Sequence, residues 1–405
     1  MYYGWVVVAG AFLAQCFITG FYTYGFPLIV VPVEAEFAAS RTEVMYGVTF
    51  AALFGLLLAP LIGLLADRWS VRALMSIGAA VFAVGLMALS VSTSLWQFTL
   101  CFAVLMALAN NLLGPLTSTT VVARWFSSKR GRALGLTAAG TSLGGMLVPF
   151  CLAQGLLFYG WRDSLFYFGL AMALFLLPFL LLLIRNKPAD MGLTVEGQEE
   201  AATAAVEGSE LAAGLIAKTP AFWLIGITMG LLFMSQTGVL ANLAAHAQGQ
   251  GLSGSEAKNL IVLLAATGFV GKLIFGYAAD RINLKLGLWL SIGLVAAGLA
   301  LLSVATSYSL MLMAAACLGL ATGGMLPVWG AMIATVFGTV SYGRVMGLMM
   351  PVIALSVTPG PILAAKLFDL SGSYTSSFHL FIAVLALAAL LLLPLKLLSV
   401  SDRQQ

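Results

Sequence analysis

The chain alternates twelve long apolar stretches with short polar connections. The stretches cover about 4–33, 44–66, 72–93, 95–123, 132–158, 162–184, 220–246, 257–280, 286–305, 308–336, 345–368 and 375–398. Each is too long and too continuous for the strict alternation of a half-buried strand. Each also supplies the roughly 20 apolar residues that a helix needs to cross a bilayer. Lipid offers the backbone no hydrogen-bond partner, so without a closed barrel only helices can span it. The pattern therefore predicts an all-α membrane protein of twelve transmembrane helices, successive ones antiparallel. One connection differs from the rest. Residues 186–219 are polar and acidic, with Asp190, Glu196, Glu199, Glu200, Glu207 and Glu210 among Ala and Gly. Such a composition cannot bury a core and predicts a flexible cytoplasmic linker. It divides the chain into an N-terminal six-helix bundle (1–185) and a C-terminal six-helix bundle (220–405).

Composition narrows the function. Of 405 residues, 61% are hydrophobic and 8% charged, against about a quarter charged in an ordinary soluble domain. A soluble enzyme, a nucleic-acid binder and a disordered regulator are excluded, and the lipid bilayer is the expected surrounding. A net charge of +4 is too small to imply a polyanionic partner. Cys16, Cys101, Cys151 and Cys317 fall inside apolar runs without paired spacing. They read as buried hydrophobes rather than as a metal or disulfide framework. The N-terminus runs into an apolar stretch with no small-residue cleavage site, and reads as the first membrane helix rather than a removed signal peptide. No GxxxxGK[ST] loop occurs, so ATP-driven pumping is not expected. No cofactor or metal is implied. With only His246 and His379 and no acid deep in a span, an intramembrane enzyme is not expected either.

The placement of charge sets the orientation. With both termini cytoplasmic, fourteen of the 19 Lys and Arg fall on the inside, including Arg68, Arg72, Arg124, Lys129, Arg130 and Arg132. Arg41, Arg162, Lys258 and Lys366 fall outside. This is the positive-inside bias of a multi-pass protein of the cell (inner) membrane.

A repeat accompanies the two halves. GLLADRWSVR after the second span carries Gly63, Asp67, Arg68 and Arg72. GYAADRINLK after the eighth carries Gly276, Asp280, Arg281 and Lys285. A glycine lets helices approach closely, and an Asp can accept hydrogen bonds from a neighbouring helix N-terminus, where the dipole favours an anion. These residues, with Arg130 from the basic loop after the fourth span, are the candidate conformational latch. The alternative is that the charges only set topology. Gly63–Arg72 resembles the loop motif of the major facilitator superfamily. The resemblance covers nearly the whole chain and implies two six-helix halves around a cavity that opens alternately to each side, in a functional monomer.

The segment RWFSSKRGRALGLTAAGTSLGG (124–145) is similar to the second conserved motif of the monocarboxylate transporter family. Tyr24-Gly25-Phe26-Pro27, RNKPADMGL (185–193) and TPAFWL (219–224) also resemble that family, and the related oxalate/formate antiporters share much of the pattern.

One Lys is left inside a span. Lys272 lies eight positions before Asp280, about 12 Å along the helix, near the membrane midplane. A cation there costs about 2.5–3.5 kcal/mol on insertion scales, so it needs a wet cavity or a partner. It is the leading candidate to bind an anionic substrate; snorkelling or bonding to carbonyls is the alternative. In GKLIFG (271–276) it stands where monocarboxylate transporters usually carry the Arg that the resemblance assigns to carboxylate binding. Where that family often places a proton-coupling Asp, this chain has Gly268, and Leu28 stands where some members have a first-span Lys. Further candidates to line a substrate site are Tyr22, Tyr24, Asn110, Asn111, Gln236, Asn242 and Trp329, each with interhelical bonding or packing as the plainer role. A break at Pro327, kinks at Pro351, Pro359 and Pro361, and pH sensing by His246 are further expectations. The expected function is transport of small organic monocarboxylates such as lactate- or pyruvate-like anions, with no nucleic-acid partner. Proton symport, in which Lys272 itself could exchange the proton, facilitated diffusion and anion exchange remain alternatives. So does efflux of amphipathic drug-like compounds.

Overall fold

The structure, a computed structural model, describes residues 2–197, 211–305 and 307–395. Besides a short helix at Ala213–Lys218, twelve long helices run through these residues. They are α1 (Gly4–Phe37), α2 (Arg41–Arg68), α3 (Val71–Ser90), α4 (Leu95–Trp125), α5 (130–159), α6 (161–183), α7 (Pro220–Gly249), α8 (Gly254–Ala279), α9 (Leu284–Val304), α10 (Tyr308–Phe337), α11 (Tyr342–Ser371) and α12 (Thr375–Leu391). The twelve apolar stretches are these twelve helices. α5 and α6 form one helical run except at Gly160, whose φ of 73° is left-handed. Glycine takes that conformation without the clash a Cβ would bring. The described part of α12 ends before the expected 398, and Lys396 and Arg403 lie outside the described residues.

The chain divides into two compact units. One contains Met1–Ser128, Leu136–Glu210 and Thr339–Leu348; the other contains Lys129–Gly135, Leu211–Gly338 and Met349–Gln405. Each unit thus includes a short piece from the other half of the sequence, namely the start of α5 or the start of α11.

Packing inside each unit is set by small residues. Helices in lipid gain little from burying apolar area against one another, so close backbone approach and dispersion hold them together. In the first unit a Cβ on Gly140 or Gly144 of α5 would run into the backbone of Phe12 or Cys16 on α1. Phe21, Phe82 and Phe168 close the core beside this seam, with ring centroids 5.9–6.2 Å apart. In the second unit α8 and α10 meet along Gly268, Gly271, Gly319 and Gly323. A Cβ on Gly323 would overlap the backbone of Gly271 and Lys272.

Prolines and hydroxyls shape the first unit further. α1 widens into a π-helical turn at Gly20–Gly25. Pro27 has no N–H to give, and its ring would collide with the carbonyl four residues back, so the wide turn relieves the strain. α4 is interrupted where Gly114 is extended and Pro115 restarts the helix. Carbonyls freed at the break take hydroxyls instead: Thr117 Oγ1 donates to Leu112 O at 2.6 Å and Ser118 Oγ to Leu113 O at 2.8 Å. In α10 and α11 the prolines are carried without a break in the backbone. α10 runs through Pro327, and α11 stays right-handed helical at Thr358, just before Pro359, where the Thr358 N–H donates to Ala354 O at 3.1 Å.

The stretch 186–197 is not a loose tether. It forms a short turn at Pro188–Met191 and pairs with the end of α4 through an isolated parallel bridge, Phe126 with Glu196. Side chains along it find local donors that composition alone does not reveal. Residues 198–210 of the expected linker, with Glu199, Glu200, Glu207 and Glu210, lie outside the described residues.

The glycine seam makes a direct prediction. Gly323→Leu should destabilise the protein by about 1–3 kcal/mol or more through overpacking, read as a lower thermal unfolding midpoint. Gly293→Leu, where a Cβ meets nothing within 4 Å, should leave the midpoint unchanged.

Candidate functional site

Lys272 sits in the middle of α8 and is 7% exposed. Glycines on two neighbours crowd its backbone. A Cβ on Gly135 of α5 would lie 2.5 Å from the Lys272 carbonyl oxygen, and a Cβ on Gly323 of α10 would meet the Lys272 nitrogen. Neither glycine can gain a side chain without moving α8, so the height of this Lys along the helix pair is fixed by backbone contact.

The other candidates fall in both units. In the first, Tyr22 stacks on Phe102, with centroids 5.7 Å apart and planes 19° from parallel. Tyr24 and Leu28 are exposed, and Tyr24 lies along Gly145 of α5. Asn111 gives its amide N–H to Ala107 O at 3.0 Å, and Asn110 is half-buried one position before it. In the second unit Gln236 donates to Leu318 O on α10 at 3.3 Å. Lys272 abuts the same helix one to two turns further along. Asn242 caps Gly238 O at 2.9 Å, and the Trp329 indole N–H points at Met349 Sδ, 3.2 Å away. His246 is buried edge-on against Tyr374 and Phe378, at 5.9 and 5.0 Å. Three of the amides therefore hold helix backbone, and Trp329 holds α11. The sequence reading passed over Gln15 in α1. It is fully buried, and neither its amide nitrogen nor its oxygen has a partner among the described residues.

A recess of about 460 Å³ lies apart from these residues, between α5 and α6. Its walls are mostly apolar, and the Ser164 hydroxyl within it is occupied by the Gly160 carbonyl at 2.5 Å. It offers little to fix a polar solute. No cluster of His, Cys, Asp and Glu suited to a metal occurs among the described residues.

The two repeated Asp residues have the most defined geometry. Asp67, at the end of α2, accepts the Gly343 N–H at 2.8 Å and the Arg344 N–H at 2.7 Å. Asp280, following α8, accepts the Gly131 N–H at 2.5 Å and the Arg132 N–H at 3.1 Å. Each carboxylate thus takes two of the open N–H groups at a helix start, α11 or α5, where the dipole also favours an anion. A guanidinium flanks each: Arg124 lies 3.6 Å from Asp67, and Arg132 lies 3.5 Å from Asp280. The glycines explain the reach. A Cβ on Gly63 would strike Gly343 and Gly347, and one on Gly276 would strike Gly131 and Gly135.

Of the expected latch residues, this arrangement brings in Gly63, Asp67, Gly276 and Asp280. Arg124 and Arg132 flank the carboxylates as well. The Arg72 backbone N–H goes to Asn186 at 3.0 Å, and Arg281 stacks on Tyr277 at 4.2 Å. Arg68 is exposed, and Arg130 is the first residue of α5. The sequence did carry a signal for the missing partners. Gly131-Arg132-Ala133-Leu134-Gly135 and Gly343-Arg344-Val345-Met346-Gly347 share the pattern Gly-Arg-x-x-Gly, 212 residues apart. The Asp residues they serve are 213 apart.

Comparison with known proteins gives the family. The Major Facilitator Superfamily matches residues 11–262 and 225–404. The chain belongs to this superfamily.

Relatives of this superfamily member are diverse. It is 26% identical to monocarboxylate transporter 11 of Mus musculus over 387 residues, 93% of this chain and 83% of that protein. It is 29% identical to the fujikurins efflux protein of Gibberella fujikuroi over 336 residues, 80% and 67% of the two chains. It is 26% identical to the membrane sensor protein UhpC of Escherichia coli over 231 residues, 54% and 52%. The chain spans about half to two thirds of the length of the first curated relatives it matches. In fold it is similar to the proton:xylose symporter XylE, with a TM-score of 0.76 and 15% identity over 99% of this chain and 98% of that one.

The paired carboxylates of this family member are testable together. Asp67→Asn or Asp280→Asn keeps an acceptor but removes the charge. Each should cost about 1.5–3 kcal/mol, the range for hydrogen bonds to charged groups, and speed amide exchange at Gly343 and Arg344 or at Gly131 and Arg132. The double variant should lose the sum, since the two carboxylates share no partner. Unfolding midpoints and hydrogen–deuterium exchange of the purified protein measure both effects.

Proposed function

We propose that this protein is a multi-pass transporter that carries small organic monocarboxylates across the inner membrane by alternating access, with Lys272 holding the carboxylate. The observation that carries this reading is a lysine at 7% exposure in mid-helix, held at fixed depth by glycine contacts on two sides. A cation kept so far from water at a cost of several kcal/mol marks a functional position by default. One positive charge suits a monoanion better than a dianion. The likeness to monocarboxylate transporter 11 over 93% of the chain supports the substrate class.

Orientation follows from charge: with both termini cytoplasmic, the basic loops, Asp67 and Asp280 face the cytoplasm. In this reading the two capped helix starts hold one conformation and release in the other. Tyr22, Tyr24, Leu28, Asn110, Asn111, Gln236, Asn242 and Trp329 are proposed as further substrate contacts. Lys in place of a forked guanidinium gives a point charge rather than bidentate recognition, which favours a broader range of acids. The protein works as a monomer in this reading, and protons are a candidate coupling partner.

A second reading, efflux of amphipathic compounds, is favoured by the 29% identity to the fujikurins efflux protein. It assigns no role to Lys272.

Uptake of labelled acids by purified protein in liposomes, with and without a pH gradient, separates these readings. The expected result is saturable uptake of a monocarboxylate that falls at least about tenfold in Lys272→Ala, as expected when one partner of a buried charged pair is removed, and is partly kept in Lys272→Arg. Stimulation by an inward proton gradient identifies symport. Unchanged uptake in Lys272→Ala overturns the role of Lys272, and transport of amphipathic compounds without competition by acids overturns the substrate class.

A further inference from the structure

α8 carries an exposed apolar stripe. Val270, Leu273, Ile274 and Tyr277 are all exposed, and steps of three and four residues place them on one helix face. In a chain that crosses a bilayer, acyl chains cover such a face. Tyr277 ends the stripe, one turn before Asp280. An amphipathic ring at that position suits the headgroup level, where Tyr is enriched.

Two guanidinium groups lie over this one ring. Arg132 Cζ is 4.3 Å from the Tyr277 centroid and Arg281 Cζ is 4.2 Å from it. All three residues belong to the second unit. The negative face of an aromatic ring attracts a cation, but two cations at one ring also repel each other. Asp280 offsets part of this repulsion, with a carboxylate oxygen 3.5 Å from Arg132 Nε. That carboxylate also serves the Gly131 and Arg132 amides. The exposed Arg281 side chain has no hydrogen-bond acceptor among the described residues, and Arg132 Nε has none within hydrogen-bond reach. Stacking engages the flat face of a guanidinium and leaves its N–H edge open to an acceptor. Lys285, four residues beyond Arg281, is committed differently. Its ammonium donates to Leu393 O at 3.0 Å and lies 5.4 Å from the Trp289 ring centroid.

We propose that Arg132, Arg281 and Tyr277 form a binding site for the phosphate of an anionic phospholipid, whose acyl chains lie along Val270, Leu273 and Ile274. A phosphodiester offers an oxygen to each N–H edge, and the guanidinium fork matches that geometry. Its negative charge relieves the repulsion over Tyr277. In the orientation proposed above, this end of α8 meets the cytoplasmic leaflet, where anionic lipids attract juxtamembrane basic groups. The site concerns the bilayer around the protein and is independent of the substrate assigned to Lys272.

Native mass spectrometry of the full-length protein in detergent, titrated with phosphatidylglycerol or with phosphatidylcholine of the same acyl chains, tests the site without any transport substrate. Phosphatidylglycerol should be retained in preference to phosphatidylcholine. Arg281→Gln should lower the affinity for phosphatidylglycerol roughly fivefold, the weight of one juxtamembrane cation. Lys285→Gln removes the same charge from the same end of the unit and should leave that affinity unchanged. Glycerophosphoglycerol, the headgroup without acyl chains, should not displace the lipid at equal concentration. Equal retention of the two lipids overturns the proposal, as does unchanged affinity in Arg281→Gln. An equal loss in Lys285→Gln means attraction by net charge alone and overturns the site. Displacement by glycerophosphoglycerol at equal concentration overturns the assignment to a lipid.

Discussion

A carboxylate seated on the open N–H groups of a helix start is the interaction on which this structure turns. A helix leaves its first amides without partners, and near the edge of a bilayer those amides have little water to take. Asp67 and Asp280 each supply two acceptors and a charge of the favoured sign. The flanking guanidinium keeps each acid in charged surroundings while it is buried. The glycines that line these contacts follow from this demand. A carboxylate on a short Asp side chain reaches backbone amides only if the two helices nearly touch, and Gly63 and Gly276 permit that approach.

The same economy of side chains runs through the rest of the molecule. Where α8 meets α10 and α1 meets α5, backbone lies against backbone, and the bulky residues fill the space around the seam. A polar group near such a seam has few places to go. Gln236 and Asn242 turn to carbonyls, Trp329 turns to a methionine sulfur, and the hydroxyls after Gly114 turn to the carbonyls that the break in α4 sets free. Lys272 differs in kind, a buried amine on a helix held by backbone contact with its neighbours.

The fold was legible in the sequence because lipid admits so few solutions. A run of twenty apolar residues has to be a helix, and even the join between α5 and α6 shows as a polar interruption around Arg162. The Asp-Arg repeat was legible for the same reason that it matters: charge is scarce here and its repetition stands out. Its partners were harder to see. Gly-Arg-x-x-Gly is a short pattern in a glycine-rich chain, and nothing in one dimension links Asp67 to a residue 276 positions away. The basic residues beside each Asp drew attention through adjacency, whereas the geometry of a helix end directs the carboxylate onto the neighbouring helix. The order along 186–197 was hidden by composition. An acidic, glycine-bearing segment looks loose until Glu196 and Asn186 meet donors at the ends of other helices.

The exchange of short segments between the units has a consequence for how the protein is made. Synthesis delivers the N-terminal elements first. When α8 emerges, Asp280 finds its partner already present, since Gly131 was made 149 residues earlier. Asp67 has no such provision. It must stand at the end of α2 without the α11 amides until Gly343 is made, 276 residues later. The first unit, though begun first, is therefore not complete until Thr339–Leu348 is made, and the duplicated halves, alike in sequence, are unlike in time.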